Sequence, residues 1–340
     1  MTPNGTTAAI FGCIGPRLLL EERAFFRDAD PFGFIIFARN VDNPVQLYRL
    51  TSDLRAAVGR DAPVLVDQEG GRVQRLRSPH WRDWTPPMEA ITAAPDLATA
   101  CRIMALRASL IATELRAVGI DANCAPVADV ATNATHPFLR NRCYGTDAAA
   151  VTAIARAVAD AYLAGGVLPV VKHLPGHGRA AGDTHHDLPT VSTDAPTLHA
   201  TDFAPFRALA DLPMAMTAHI VFDAFDAENP ATQSTRMIEV IRNDIGFTGL
   251  LMTDDLNMQA LSGGLADRTA RSMQAGCDLA LHCNGDLPEM RAVAAAAGPM
   301  RPDTQGRAAT ALAYRKAPAL HDTNALLAEL SALSQGPVHA

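Results

Sequence analysis

Residues 167–189 read VLPVVKHLPGHGRAAGDTHHDLP, and the way this stretch divides decides the fold. The first part, VLPVVKH (167–173), is a short run of mostly branched apolar residues, which suits a strand buried on both faces. It ends in Lys172 and His173. Beyond them Gly and Pro punctuate a segment that carries His177, Asp183, His185, His186 and Asp187. Such a composition sustains neither a long helix nor a regular strand, so it forms a loop. A buried strand that delivers ionisable groups to a loop at its carboxyl end is how a parallel barrel builds its functional face.

The same division recurs along the chain. Apolar runs at AAIFGCI (8–14), GFIIFA (33–38), PVLVDQ (63–68), DANCAPVADV (121–130), VLPVVKH (167–173), PMAMTAHI (213–220), GLLMTDD (249–255) and LALHCN (279–284) give eight candidate strands. Between them PVQLYRLTSDLRAAVG, LATACRIMALRASLIATELRAVG, AAAVTAIARAVADAYLAGG and LADRTARSMQAGC place apolar residues at spacings of three and four, and several end in a Gly fit for a C-cap. Eight βα units predict an α/β fold, a single-domain (β/α)8 TIM-type barrel. An open doubly wound sheet is the structural rival, but no G-x-G-x-x-G follows the first strand. Residues 301–340 read as terminal helices on the barrel flank. With no linker, low-complexity tract or internal repeat, the expectation is one catalytic domain over 1–340.

Charge and composition exclude several functions. The chain has 29 basic against 36 acidic residues, a net charge of −7, with no basic stripe for nucleic acid and no polybasic membrane anchor. No apolar run approaches the roughly 18 residues that span a bilayer. The stretch MTPNGTTAAIFGCIGPR has no basic residue ahead of its apolar run, unlike a secretory signal, so a soluble cytoplasmic protein is expected. Cys13, Cys101, Cys124, Cys143, Cys277 and Cys283 are scattered without a C-x-x-C pair, and reading them as reduced, buried thiols suits both the compartment and their apolar neighbours.

The polar residues that follow the strands are the candidates for chemistry. Asp67, Asp129, Lys172, His173, His219 and Asp254 each stand at or just beyond a strand's carboxyl end, where barrel enzymes hold their active groups. Asp254 suits a metal ligand, a base or a nucleophile. Successive strand side chains alternate faces, so Asp255 is expected to point elsewhere and to cap the following helix. In extended chain Asp183 and His185 share a side, and the carboxylate could orient the imidazole as an acid/base; a solvated loop is the alternative. A metal site drawn from His173, His177, His185, His186 and Asp183 lacks any regular ligand spacing such as H-E-x-x-H. In DQEGGRVQR (67–75) Asp67 and Arg75 could turn over the mouth to hold hydroxyls, and Arg142 in FLRNRCYG could do the same. Either arginine could equally pair with a structural acid.

Taken together, DQEGGRVQR, RNRCYG, KHLPGHG with DTHHDLP, and TDDLNM resemble glycoside hydrolase family 3, in particular its bacterial β-N-acetylglucosaminidase branch. The motifs run in the family's order over residues 67–258. The resemblance implies a retaining β-N-acetylhexosaminidase whose nucleophile is Asp254 and whose acid/base is His185, oriented by Asp183. It further implies sugar contacts from Asp67, Arg75, Arg142, Lys172 and His173, while Gly176 and His177 shape the loop without touching sugar. The implied substrate is a small glycan of cell-wall recycling, N-acetylglucosamine on 1,6-anhydro-N-acetylmuramic acid muropeptides. A monomer with no cofactor, no metal, no nucleic-acid partner and no membrane partner is expected. Competing readings are a family 3 β-glucosidase or β-xylosidase, a phosphorylase using the same site, a barrel metallohydrolase built on the histidine-rich loop, and a catalytically silent sugar binder.

Overall fold

The computed structural model describes residues 5–182, 188–319 and 322–334. Eight parallel strands close on themselves: β1 (Thr7–Gly12), β2 (Pro31–Ile36), β3 (Val64–Val66), β4 (Ala122–Asn123), β5 (Leu168–Leu174), β6 (Met214–Thr217), β7 (Leu250–Asp255) and β8 (Leu279–His282). Closure is made where Ile10 of β1 stands level with Leu281 of β8 on one side and Gly33 of β2 on the other. Each strand falls within or against one of the apolar runs found in the sequence. The fourth is much shorter than its run. Pro126 has no N–H for the ladder, and the chain continues irregularly with Lys172 N donating to Pro126 O and Ala128 N to Lys172 O.

Alternation along the strands sorts the core into two layers. Ile10, Leu65, Val170, Met214, Met252 and Leu279 fill the barrel interior, while Phe11, Val64, Val171, Ala215 and Leu251 face the helices. Phe11, Phe25, Phe26 and Phe34 stack between β1, β2 and the helix Leu20–Ala29, with Phe26 and Phe34 edge to face at 5.0 Å. Each buried ring of this kind contributes roughly 1.5–3 kcal/mol through the apolar surface it removes from water. The helices begin where the sequence supplies caps: Asn43, Asp96 and Asp147 accept from the main chain three residues on, ahead of Pro44–Val58, Leu97–Ala117 and Ala148–Ala164.

The two helices that follow β8's own helix have different places. Pro302–Leu312 brings Ala308 and Ala311 into the inner layer and so closes the amino-terminal end of the barrel. Thr323–Ser334 lies on the flank, where Glu329 accepts from Nε and Nη2 of Arg102 on the helix Leu97–Ala117. The closing helix is fastened by a buried acid: Asp278, just before β8, accepts from Arg242 Nη2 (2.6 Å), Arg307 Nη1 (2.8 Å), Thr304 Oγ1 (3.0 Å) and Leu251 N (2.9 Å). Deleting one partner of a buried ion pair costs on the order of 3 kcal/mol, and a domain this large loses about 1–2 °C per kcal/mol. Asp278→Ala should therefore lower the thermal midpoint, followed by circular dichroism, by about 3–6 °C.

Candidate active site

One cavity opens at the carboxyl ends of the strands, and it gathers most of the residues singled out from the sequence. Asp67, Arg75, Arg142, Lys172, His173 and Asp254 all line it. Asp183 and His185, with His186, lie outside the described residues. The apolar part of the lining comes from Ile35, Phe37, Met216, Met258 and Leu281. A pyranose ring, polar around its edge and apolar on its face, has matching chemistry.

The polar wall is a closed set of ion pairs. Lys172 Nζ lies 2.9 Å from Asp67 Oδ1 and 2.7 Å from Glu69 Oε1, Arg75 Nη2 donates to Asp67 Oδ2 at 2.9 Å, and Arg142 grips Glu69 with two bonds of 2.8 Å. Both arginines thus pair with acids, and they do so at the cavity wall. Burial disfavours the charged form of every one of these groups, yet the partners prevail. Lys172 and Arg75 hold the Asp67 carboxyl well below the usual carboxylate range, and Arg142 and Lys172 bring Glu69 down to about 2. In return Asp67 and Glu69 keep Lys172 charged to well above the ordinary lysine range.

Glu69 is the residue that the sequence reading passed over. It stands two places after Asp67, so in extended chain both carboxylates share a side, and this spacing was the available signal. Its main chain belongs to the hairpin Gln68–Gly70 with Val73–Gln74, and the buried Arg107 guanidinium donates to Glu69 O. Gly70 makes that approach possible: at φ +106°, a Cβ there would stand 1.5 Å from Arg107 Nη2.

On the next strand Lys172 and His173 are consecutive yet both reach the cavity, because the pairing of β5 with β6 shifts register between Val171 and Leu174. Asp129 organises this corner. Its Oδ2 lies 2.7 Å from His173 Nδ1, which carries the hydrogen since a carboxylate only accepts, and its Oδ1 accepts from His177 N at 2.6 Å. His173 Nε2 is left facing Arg142 Nη2 at 3.5 Å. His177, expected to shape the loop, sits beside this corner. Its ring lines the cavity, turned in by the Asp129 contact to its main chain, and stands 5.5 Å from the His173 ring. Burial and the neighbouring His173 bring its pKa down to about 4, so it is neutral at physiological pH.

Opposite this wall is Asp254 at the end of β7. Burial would raise its pKa, but His219, His173 and Lys172 together with the Asp255 N–H, 2.8 Å from Oδ1, leave it below the ordinary aspartate value and ionised. Asp255 also lines the cavity, contrary to the alternation rule, because the register of β7 against β8 shifts between Met252 and Asp255. Its Oδ1 does accept from Asn257 N (3.2 Å), in the manner of a turn cap, and from Cys283 N (3.2 Å). Burial and the charge of Asp254 push Asp255 up to about 6. His219 lines no part of the cavity; it bonds Thr232 Oγ1 through Nδ1 (2.8 Å) and Asp255 O through Nε2 (3.1 Å).

All six cysteines are free thiols, five of them buried. Among the described residues no group of three His, Cys, Asp or Glu side chains is arranged to hold a metal ion, and no helix is long and apolar enough to cross a membrane.

A (β/α)8 barrel with an ionised carboxylate in a polar-walled cavity at the carboxyl ends of its strands has the form of a barrel enzyme, and comparison with known proteins specifies which class. The model of the glycosyl hydrolase family 3 N-terminal domain matches residues 20–301. The chain is 36% identical to a β-hexosaminidase of Methylococcus capsulatus, covering 81% of this chain and 82% of the relative. It is 38% identical to a β-hexosaminidase of Alkalilimnicola ehrlichii, over 81% and 80%. Among solved structures, NagZ from Neisseria gonorrhoeae in complex with N-trifluoroacetyl-D-glucosamine superposes with a TM-score of 0.84 at 29% identity, over 98% of this chain and all of that one. A family 3 β-N-acetylglucosaminidase from Paenibacillus gives 0.84 at 28%, over 96% of this chain and 67% of the other. The chain belongs to glycosyl hydrolase family 3. Its activity is that of a β-N-acetylglucosaminidase, a glycoside hydrolase acting on a small glycan.

The titrations of buried groups set a pH dependence of stability. His177 and His282 are both brought by burial to about 4, below the unfolded value, so the stability they carry is complete above about pH 6.5 and is lost as pH falls toward 4. Asp255, raised to about 6, acts in the opposite sense, contributing below about pH 4 and losing that contribution as pH rises through 6. Two histidines outweigh one aspartate. The thermal midpoint should fall between about pH 7 and pH 4.5, and His282→Leu, whose ring nitrogens have no hydrogen-bond partner in the wild type, should make that fall shallower.

Proposed function

We propose that the enzyme is a retaining exo-β-N-acetylglucosaminidase in which Asp254 forms a covalent glycosyl-enzyme and His185, oriented by Asp183, is the acid/base. The observation that carries the reading is that Asp254 is half-buried, ionised and lines the same cavity as Asp67, Lys172 and Arg142 of the ion-paired wall. A nucleophile must be deprotonated and within reach of the anomeric carbon, and a sugar bound along that wall presents this carbon to β7. Asp67, Arg75, Arg142, Lys172 and His173 take the hydroxyls and the acetamido group, and neutral His177 beside His173 extends that contact.

In the first step the Asp254 oxygen bonds to the anomeric carbon as the glycosidic bond breaks, and His185 gives its proton to the departing oxygen. In the second His185 takes a proton from water, which attacks the same carbon and releases Asp254, so that two inversions give net retention. An imidazole serves here because its unperturbed pKa is already near neutrality, whereas a carboxylic acid needs its pKa raised. The natural substrate in this reading is N-acetylglucosamine linked to 1,6-anhydro-N-acetylmuramic acid muropeptides, hydrolysed in the cytoplasm by a monomer during cell-wall recycling.

Treatment with a fluorinated N-acetylglucosaminyl inactivator should add one sugar mass to the intact protein, with fragmentation placing it on Asp254, and Asp254→Asn should gain none. Release of the α-anomer first, seen by NMR, would defeat the retaining mechanism. The nitrophenyl N-acetylglucosaminide should be cleaved far faster than the nitrophenyl glucoside, with no loss on EDTA treatment. Loss of activity on chelation would favour the metallohydrolase alternative.

A further inference from the structure

Asp255 is the point at which three strands of the mouth are tied together. Its N–H goes to Asp254 Oδ1 at 2.8 Å, its carbonyl accepts from His219 Nε2 of the β6 side at 3.1 Å, and its Oδ1 accepts from Cys283 N beyond β8 at 3.2 Å and from Asn257 N at 3.2 Å. A carbonyl only accepts, so His219 carries its proton on Nε2, and Thr232 Oγ1 at 2.8 Å from Nδ1 holds the ring in place. Main chain, side chain and both neighbouring strands are therefore fixed at one residue. This residue directly follows the carboxylate that faces the sugar, at the place where the register of β7 breaks. Without these ties nothing in the ladder dictates the direction of the Asp254 side chain, since regular pairing has ended.

We propose that Asp255 is a positioning residue for the reaction: by clipping the end of β7 to β8 through its carboxyl and to His219 through its carbonyl, it fixes the reach and hydrogen bonding of Asp254. The inference rests on Asp254 being the nucleophile. The groups proposed to hold the sugar, Asp67, Arg75, Arg142, Lys172 and His173, sit on β5 and in the loops after β3 and β4, and the hydrogen bonds of Asp255 go to none of them. Loosening the clip therefore acts on the attack and leaves ground-state binding in place. A displacement of about 1 Å at a reacting atom costs on the order of 100-fold in rate.

The test is a comparison of Asp255→Ala with Asp255→Asn in the full chain, using the nitrophenyl N-acetylglucosaminide. Alanine removes the acceptor of Cys283 N and Asn257 N, whereas asparagine keeps an oxygen in that place. The expected result for Asp255→Ala is a kcat lower by on the order of 100-fold with KM within about threefold, and a slower rate of trapping on Asp254 by the same factor. Asp255→Asn should recover most of the turnover. Should Asp255→Ala fail to fold by circular dichroism, Asp255→Ser takes its place, its hydroxyl being too short to reach Cys283 N. Turnover of the Ala or Ser variant within threefold of wild type, a loss confined to KM, or an Asn variant as slow as alanine would each overturn the inference. A wild-type adduct located away from Asp254 would instead overturn the nucleophile assignment, and the inference with it.

Discussion

The buried carboxylate of Glu69 is the constraint around which the mouth of the barrel is arranged. Its side chain is 1% exposed and meets two cations, Arg142 through a bidentate pair and Lys172 at 2.7 Å. Three consequences follow from satisfying it. The loop after β4 must bring Arg142 across, β5 must deliver Lys172 inward at its end, and the hairpin after β3 must bend tightly enough to bring Glu69 down. Gly70 allows that bend, and Arg107 fixes the hairpin from behind through the Glu69 carbonyl. A buried ion pair of this kind repays its desolvation only when every partner is in place, so the set either forms completely or costs several kcal/mol. The cavity-lining Asp67 and Arg75 are oriented by the same set.

The two ends of the barrel use buried charge differently. At the amino-terminal end Asp278 and Asp121 collect arginines from distant parts of the chain, Arg242 and Arg307 for one and Arg55 and Arg315 for the other, and neither lines the cavity. These pairs fasten the closing helix and the chain after it. At the opposite end the acids and bases face an open space, with Asp254 ionised and Asp255 near 6 beside it. Placing rigid pairs at one end and solvent-facing chemistry at the other is the division of labour expected of this architecture.

Much of this was legible in the sequence, for identifiable reasons. Fully buried parallel strands leave short apolar runs, helices leave a threefold and fourfold spacing with Asn or Asp caps, and active groups must follow the strands. These local signals located all eight strands and six cavity residues. What escaped was set by nonlocal geometry. Asp255 was expected to face elsewhere, but a register shift turns it inward, and a register shift is fixed by the neighbouring strand and leaves no mark on its own residues. Glu69 was invisible for another reason: a glutamate in a glycine-rich turn ordinarily reads as solvated, and only the long-range arrival of Arg142 and Lys172 makes its burial affordable.

The direct contact among Asp67, Glu69, Arg75, Arg142 and Lys172 bears on how the enzyme meets its surroundings. Charges 2.7–2.9 Å apart, on side chains at most a quarter exposed, lie well inside the roughly 8 Å over which dissolved ions screen at physiological ionic strength. Their field is spent on one another and little of it extends into bulk water. The arrangement of the wall is consequently insulated from changes in cellular salt.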